Sequence, residues 1–450
     1  MATGELTDGQ LLVAAGDDDK VQLVLAGATI HNEDGPAIYV QNADKCFVTL
    51  ADGAENTLTD GADYALEADS DEPYATLFSR CDLTLNGGGT LNVTAAYRHA
   101  VCSKDDLTVV LGTYNISAVE DGLRGRDSVK IRDGAFAIAA GGDGIKSNKD
   151  SKPTKGFVSI DGGTFDIQAG DGAAANADDA TVDDAASAGD AARGQRGQGG
   201  NAPTLPDDSE AAANGGAPDN AFAEGAGQGG KGGQGGGMTM GDENCLIQIN
   251  GGYLVVDAAG DGVASNGSVE DNGGVLLVAG PTSSGDGAFD YDLTATVNGG
   301  TVLMVGSTGM AQNFTSGTQA FAMAATSGTA GQTVAVVDAS GSVVASFTAA
   351  KQFGMVLASS PAFAEGGEYS LVVGGSVEGS NADGYADSGT VSGGSELAIT
   401  ASCTESSDLG GLGQGGGPMA AGKGRRRARL ALLKASRLRS SLALYSVGVQ

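Results

Sequence analysis

VKIRDGAFAI at 129–138, VSIDGGTFDI at 158–167 and IQINGGYLVV at 247–256 are versions of one phrase. Two short runs of alternating apolar and polar residues flank a turn built on Asp or Asn and Gly. LTLNGGGTLNV from Leu83, LTVVLGTYNI from Leu107, VEDNGGVLLV from Val269 and ATVNGGTVLM from Ala295 repeat it. VQLVLAGATI at 21 and VTLADGAENTL at 48 are looser copies. Alternation turns one side of each strand inward. Leu107 to Val129 and Ile247 to Val269 are 22 residues each, and Leu83 to Leu107 is 24. A third short run, such as GIKS or GVAS, completes each unit. Three short strands in about 22 residues fit one coil of a solenoid whose coils stack about 4.8 Å apart. A sandwich of hairpins needs turns between antiparallel neighbours but not this fixed period. The expected fold is therefore all-β, a right-handed single-stranded parallel β-helix.

The organisation follows from where the period holds. It spans 7–172 and returns over 244–312. Between them, 173–243 is rich in Gly, Ala and Asp and has almost no apolar periodicity, so it is expected to be a disordered loop. Val158 to Ile247 is 89 residues, one coil plus about that loop. After Gly306 the runs become longer and turn at ASGS and EGGE, so 313–403 reads as a small antiparallel β domain capping the solenoid. Residues 404–450, Gly-rich and then basic, are expected to be disordered.

The chain carries a formal charge of −31. Eight of its 25 basic residues lie between Lys423 and Arg439, so the rest is more acidic still. That balance argues against nucleic acid or an anionic membrane as partner and favours cations. No apolar run is long enough to span a membrane. The first twenty residues show no readable signal peptide. Five cysteines without a CxxC or Cys/His cluster argue against zinc. Cys46, Cys81 and Cys102 read as small buried residues.

One acidic feature recurs. An Asp–Gly pair follows the second strand of a coil at Asp121, Asp143, Asp171 and Asp261, and the spacing predicts a column along one edge, with Glu120 and Asp127 nearby. Ionised neighbours about 5 Å apart repel by about 1 kcal/mol in water. Three arrangements would compensate: capping of turn N–H groups, pairing with Arg124, Arg126 or Lys146, or coordination of Ca²⁺, which takes six to eight oxygens. His31 and His99 are isolated and read as structural. Tyr97, Tyr39 and Tyr291 are candidates for stacking on sugar rings.

DGLRGRDSV, GGDGIKSN and VSIDGGTFDI, with GPTSSGDGAFDYD and GSTGMAQ later, resemble recurring phrases of a bacterial family of carbohydrate-binding β-helix proteins. These are cellulose- and acidic-sugar-binding surface proteins, akin in fold to pectate lyases. The likeness covers roughly 7–390, without the Gly-rich stretch.

The resemblance implies a pectate-lyase-like solenoid and non-catalytic, calcium-assisted binding of an acidic or plant cell-wall polysaccharide such as polygalacturonate. It implies an extracellular or cell-surface site, and a monomer is expected. Carried onto this sequence, Glu120, Asp121, Asp127, Asp143, Asp171 and Asp261 become metal ligands, and Arg124, Arg126, Lys146 and Tyr97 contact the sugar. Two other readings stay open. One is a calcium-dependent polysaccharide lyase with Lys146 as base, although nothing readable near Lys146 depresses its pKa. The other is a structural or adhesion scaffold.

Overall fold

A computed structural model of the chain describes residues 1–68, 70–148, 155–170, 172–176 and 241–405. Among them there is no helix. Parallel strands stack into a solenoid with three faces, and a separate sheet of nine strands along the third face marks nine coils. The first and second faces join into one large sheet because the strand Lys20–Asn32 bends across both.

The repeated phrase forms the first two faces. On the first, the inward positions Cys46, Leu83, Leu107, Val129, Val158, Ile247, Val269 and Ala295 pair coil to coil in one unbroken column. All eight are buried. On the second face Tyr114, Phe136 and Phe165 stack ring on ring, with centroids 5.1 and 4.5 Å apart and planes within 11° and 3°. Like side chains meet because coil stacking places equal positions over each other. The Asn or Asp of the turn also repeats for a reason. Asn298 donates to Asn272 at 2.9 Å, Asn272 to Asn250 at 3.0 Å and Asn250 to Asp161 at 2.8 Å. The second Gly of the turn is held by conformation and space. Gly163 has φ of 103°, and a Cβ there would lie 2.8 Å from the Gly134 carbonyl oxygen.

Val158 pairs with Ile247 and Phe165 with Leu254, so 89 residues of sequence advance the solenoid by one coil. The strand Gly172–Asn176 runs into the stretch that composition assigns to a loop from 173. The disorder expected for that loop otherwise falls on 177–240, outside the described residues, whereas 241–243 are described. The tail expected to be disordered from 404 lies outside them from 406, and its first residue closes the strand Ser402–Thr404.

Beyond the last coil the chain turns antiparallel. Phe353–Ser359 pairs antiparallel with both Thr301–Gly306 and Ser316–Gly328. A four-stranded antiparallel sheet follows, in the order Val343–Thr348, Thr333–Val337, Glu368–Val373, Ser395–Thr400. Its core is continuous with Leu277, Ala279, Leu303 and Val305, which point outward from the second face of the last coils. The C-terminal sheet therefore covers that end of the second face.

Candidate functional site

The expected acidic column lies at the corner where the second face meets the third. Asp121 and Asp143 stand one coil apart, and His99 holds the same position one coil before. The next coil departs from the expectation. Gly172 pairs opposite Asp143, and Asp261 opposite Gly172. Counting from DG to DG aligns Asp143 with Asp171, but the backbone register is offset by one. Asp171 itself lies outside the described residues.

The corner carboxylates are compensated by amides and cations. Asp143 N–H donates to Asp121 Oδ1 at 3.1 Å, and Gly287 N–H to Asp261 Oδ1 at 2.7 Å. The Asp121 carboxylate also lies 3.4 Å from Arg124 Nη1 and 3.2 Å from His99 Nδ1. Lys146 pairs with Asp143 at 2.9 Å, Lys155 with Asp127 at 3.0 Å and Arg98 with Glu120 at 2.9 Å. Asp121, Asp143 and Arg124 are only 4, 6 and 6% exposed. Burial drives the His99 imidazole well below its usual pKa. The Asp121 N–H donates to His99 Nδ1 at 3.1 Å, and Arg124 Nη1 lies 2.9 Å from His99 Nε2. Burial opposes ionisation of Asp121, but His99, Lys146, Arg124 and the Asp143 amide outweigh it and hold its pKa down to about 2. Asp261 behaves oppositely. Burial, helped by Asp290 and Asp286, pushes it up to about 6.

This corner is a poor place to meet a polymer. Arg124 is covered, with Tyr74 under its guanidinium at 5.9 Å. Tyr97 is stacked at 4.2 Å on Tyr64, so one of its faces is taken. Arg126 alone of the expected sugar contacts is exposed. Among the described residues no three Asp, Glu, His or Cys side chains converge as a cation site. Of the expected ligands that are described, Asp121 and Asp261 face backbone amides, and Glu120, Asp127 and Asp143 face cationic side chains.

A different surface is open. The outward positions of the second face form a trough with two hollows of about 350 and 300 Å³, which share Asn115, Ala137 and Asp166. Its central column is Asn92, Asn115, Ala137, Asp166 and Val255, one residue per coil. Asn115 donates to Asn92 at 2.8 Å, and Asn92 to Glu55 at 3.0 Å. Ala137 and Ala139 are exposed and make a flat floor. Asp166 is exposed and, among the described residues, its carboxylate has no hydrogen-bond or ion-pair partner. At the far end Tyr253 donates to Asp383 at 2.8 Å and accepts from Asn381 at 2.8 Å. No Lys or Arg is among the residues lining the hollows. Sequence reasoning missed this surface. The only signal was the change of residue type at one outward position, Asn, Asn, Ala, Asp, Val, within otherwise repeating phrases.

Residues 1–220 match a family model described as carbohydrate-binding domain-containing protein. A protein of the same description from Acetivibrio thermocellus is 38% identical over 172 residues, which make up 38% of this chain. The chain spans 60% of that curated relative. A solved structure described as the polysaccharide lyase-like protein from C. thermocellum is 39% identical over 39% of this chain and 71% of that one. Its TM-score is 0.38.

Proposed function

We propose that the protein binds a polysaccharide, without cleaving it, along the trough of the second face. The observation that carries this reading is an open polar channel of amides, hydroxyls and a carboxylate over an alanine floor. Such a surface can hydrogen-bond sugar hydroxyls and leave ring faces on small side chains. The description shared by the family model and the A. thermocellus relative supports the same class of ligand. A neutral glycan suits the lining best. A polygalacturonate chain would meet Asp166 and Asp383 without a counter-charge, so its binding there requires a bridging cation such as Ca²⁺. A lyase reading is less favoured, because Lys146 is ion-paired and largely covered, whereas a base needs a neutral amine within reach of the substrate. A monomer at the cell surface completes the reading.

The test is calorimetry with cellohexaose and with hexagalacturonate, the latter with Ca²⁺ and with chelator, on the wild type and on Ala137→Trp. The indole fills the trough from an exposed strand position. Wild-type binding that drops at least tenfold in Ala137→Trp is expected. Equal binding by the variant, or no binding of either glycan by the wild type, removes the trough from consideration.

A further inference from the structure

We infer that the trough is closed at one end and holds a glycan chain by its terminus rather than along its middle. This rests on the reading of the trough as a polysaccharide site. The outward column runs in register from Asn92 through Asn115, Ala137, Asp166 and Val255 to Leu277 and Leu303. Its exposure changes sharply along that path. Asn115, Ala137 and Asp166 are open, Val255 is half-buried, and Leu277 and Leu303 are fully covered by the C-terminal sheet. A ligand extended along the solenoid axis therefore runs into protein after the coil of Val255.

The barrier is firmly built. Tyr253 sits at its base, bonded to both Asp383 and Asn381, with the Tyr385 ring edge-on at 5.7 Å. The Asn381 side chain accepts from the backbone N–H groups of Asp383 at 3.0 Å and Tyr385 at 2.9 Å, which fixes the loop. Asp166 and Asp383 both line the hollow in front of this wall. Carboxylates accept strongly from hydroxyl pairs, and a terminal sugar presents hydroxyls that an internal one uses in its glycosidic bond. Four coil steps of about 4.8 Å separate Asn92 from Val255, so the open length is about 19 Å, that of a short oligosaccharide. The coil before Asn92 carries the polar Thr57 and Glu55 at its outward positions, so the remainder of a longer chain leaves there.

The experiment uses the whole chain and cellohexaose, or hexagalacturonate with Ca²⁺ if the wild type prefers it. The hexasaccharide is offered free, with a bulky aromatic block on its reducing end, and with one on its non-reducing end. End-on binding predicts that one block weakens binding at least tenfold and the other less than threefold. Asp383→Asn should weaken the free chain and the tolerated derivative alike. Binding that both blocks leave unchanged means recognition along the middle; it overturns this inference while the polysaccharide reading stands. Binding of neither hexasaccharide sinks both.

Discussion

The corner and the trough lie on the same coils and use the same residue types, yet they are opposites. At the corner Asp recurs, is buried or half-buried, and has an amide or a cation against it. In the trough a single exposed Asp166 follows Asn, Asn and Ala, with no cation beside it. Repetition in a solenoid marks what each coil needs in order to stack on the next. A ligand is not periodic with the coil, so a surface that meets one is freed from the repeat.

Breaking the corner should cost most. Asp121→Ala leaves Arg124 and Lys146 near an empty position in a buried setting, and a loss of about 3–5 kcal/mol is expected, read by denaturant unfolding. Glycan binding by the folded fraction should be unchanged. If binding falls and stability does not, the roles of the two regions are reversed. In the opposite direction, Asp271 faces the interior of the first face between Ile249 and Val297 and is 2% exposed. Burial pushes its pKa well above the usual carboxylate value, with only the Gly273 N–H opposing. Asp271→Asn keeps that acceptor and removes the charge, so stability at pH 7 should rise by about 1–2 kcal/mol.

The pH dependence separates the carboxylates further. Asp271 and Asp261 have raised folded-state values, so their contribution is complete below about pH 4 and is lost as pH rises, for Asp261 through about 6. Asp261→Asn should therefore flatten the decline in melting temperature between pH 4 and 7. An unchanged slope rejects that origin. Asp121 has the reverse sign: its contribution is present above about pH 4 and is lost as pH falls toward 2. The smallest effect belongs to exposed Arg126. Arg126→Ala should shift stability by less than about 0.5 kcal/mol and leave cellohexaose binding alone.

Much of the fold was legible because it is written in a repeated phrase. The alternation named the inward residues, and columns such as Leu83, Leu107 and Val129 pair as the spacing implies. The Asn and Gly of the turn were legible too, since each answers to the same neighbour one coil away. The candidate site was read less well. Charge and recurrence drew attention to Asp121, Asp143, Arg124 and Lys146, which the structure puts into one compensated corner. Asp166 and Ala137 look ordinary in VSIDGGTFDI and VKIRDGAFAI. The inward-facing Asp271 also hid, because VEDN keeps the length of the phrase while breaking its polarity.

The sequence by itself determined the period, the coil and the direction each strand side chain faces, because those depend on neighbours a fixed number of residues away. Tertiary structure alone decided which outward surface stays open. The register offset that sets Gly172 opposite Asp143 depends on how the turn between the second and third faces is accommodated. The covering of Leu277 and Leu303 depends on a sheet that begins well beyond them in the chain. Both are contacts between residues with no fixed spacing, and no local pattern encodes them.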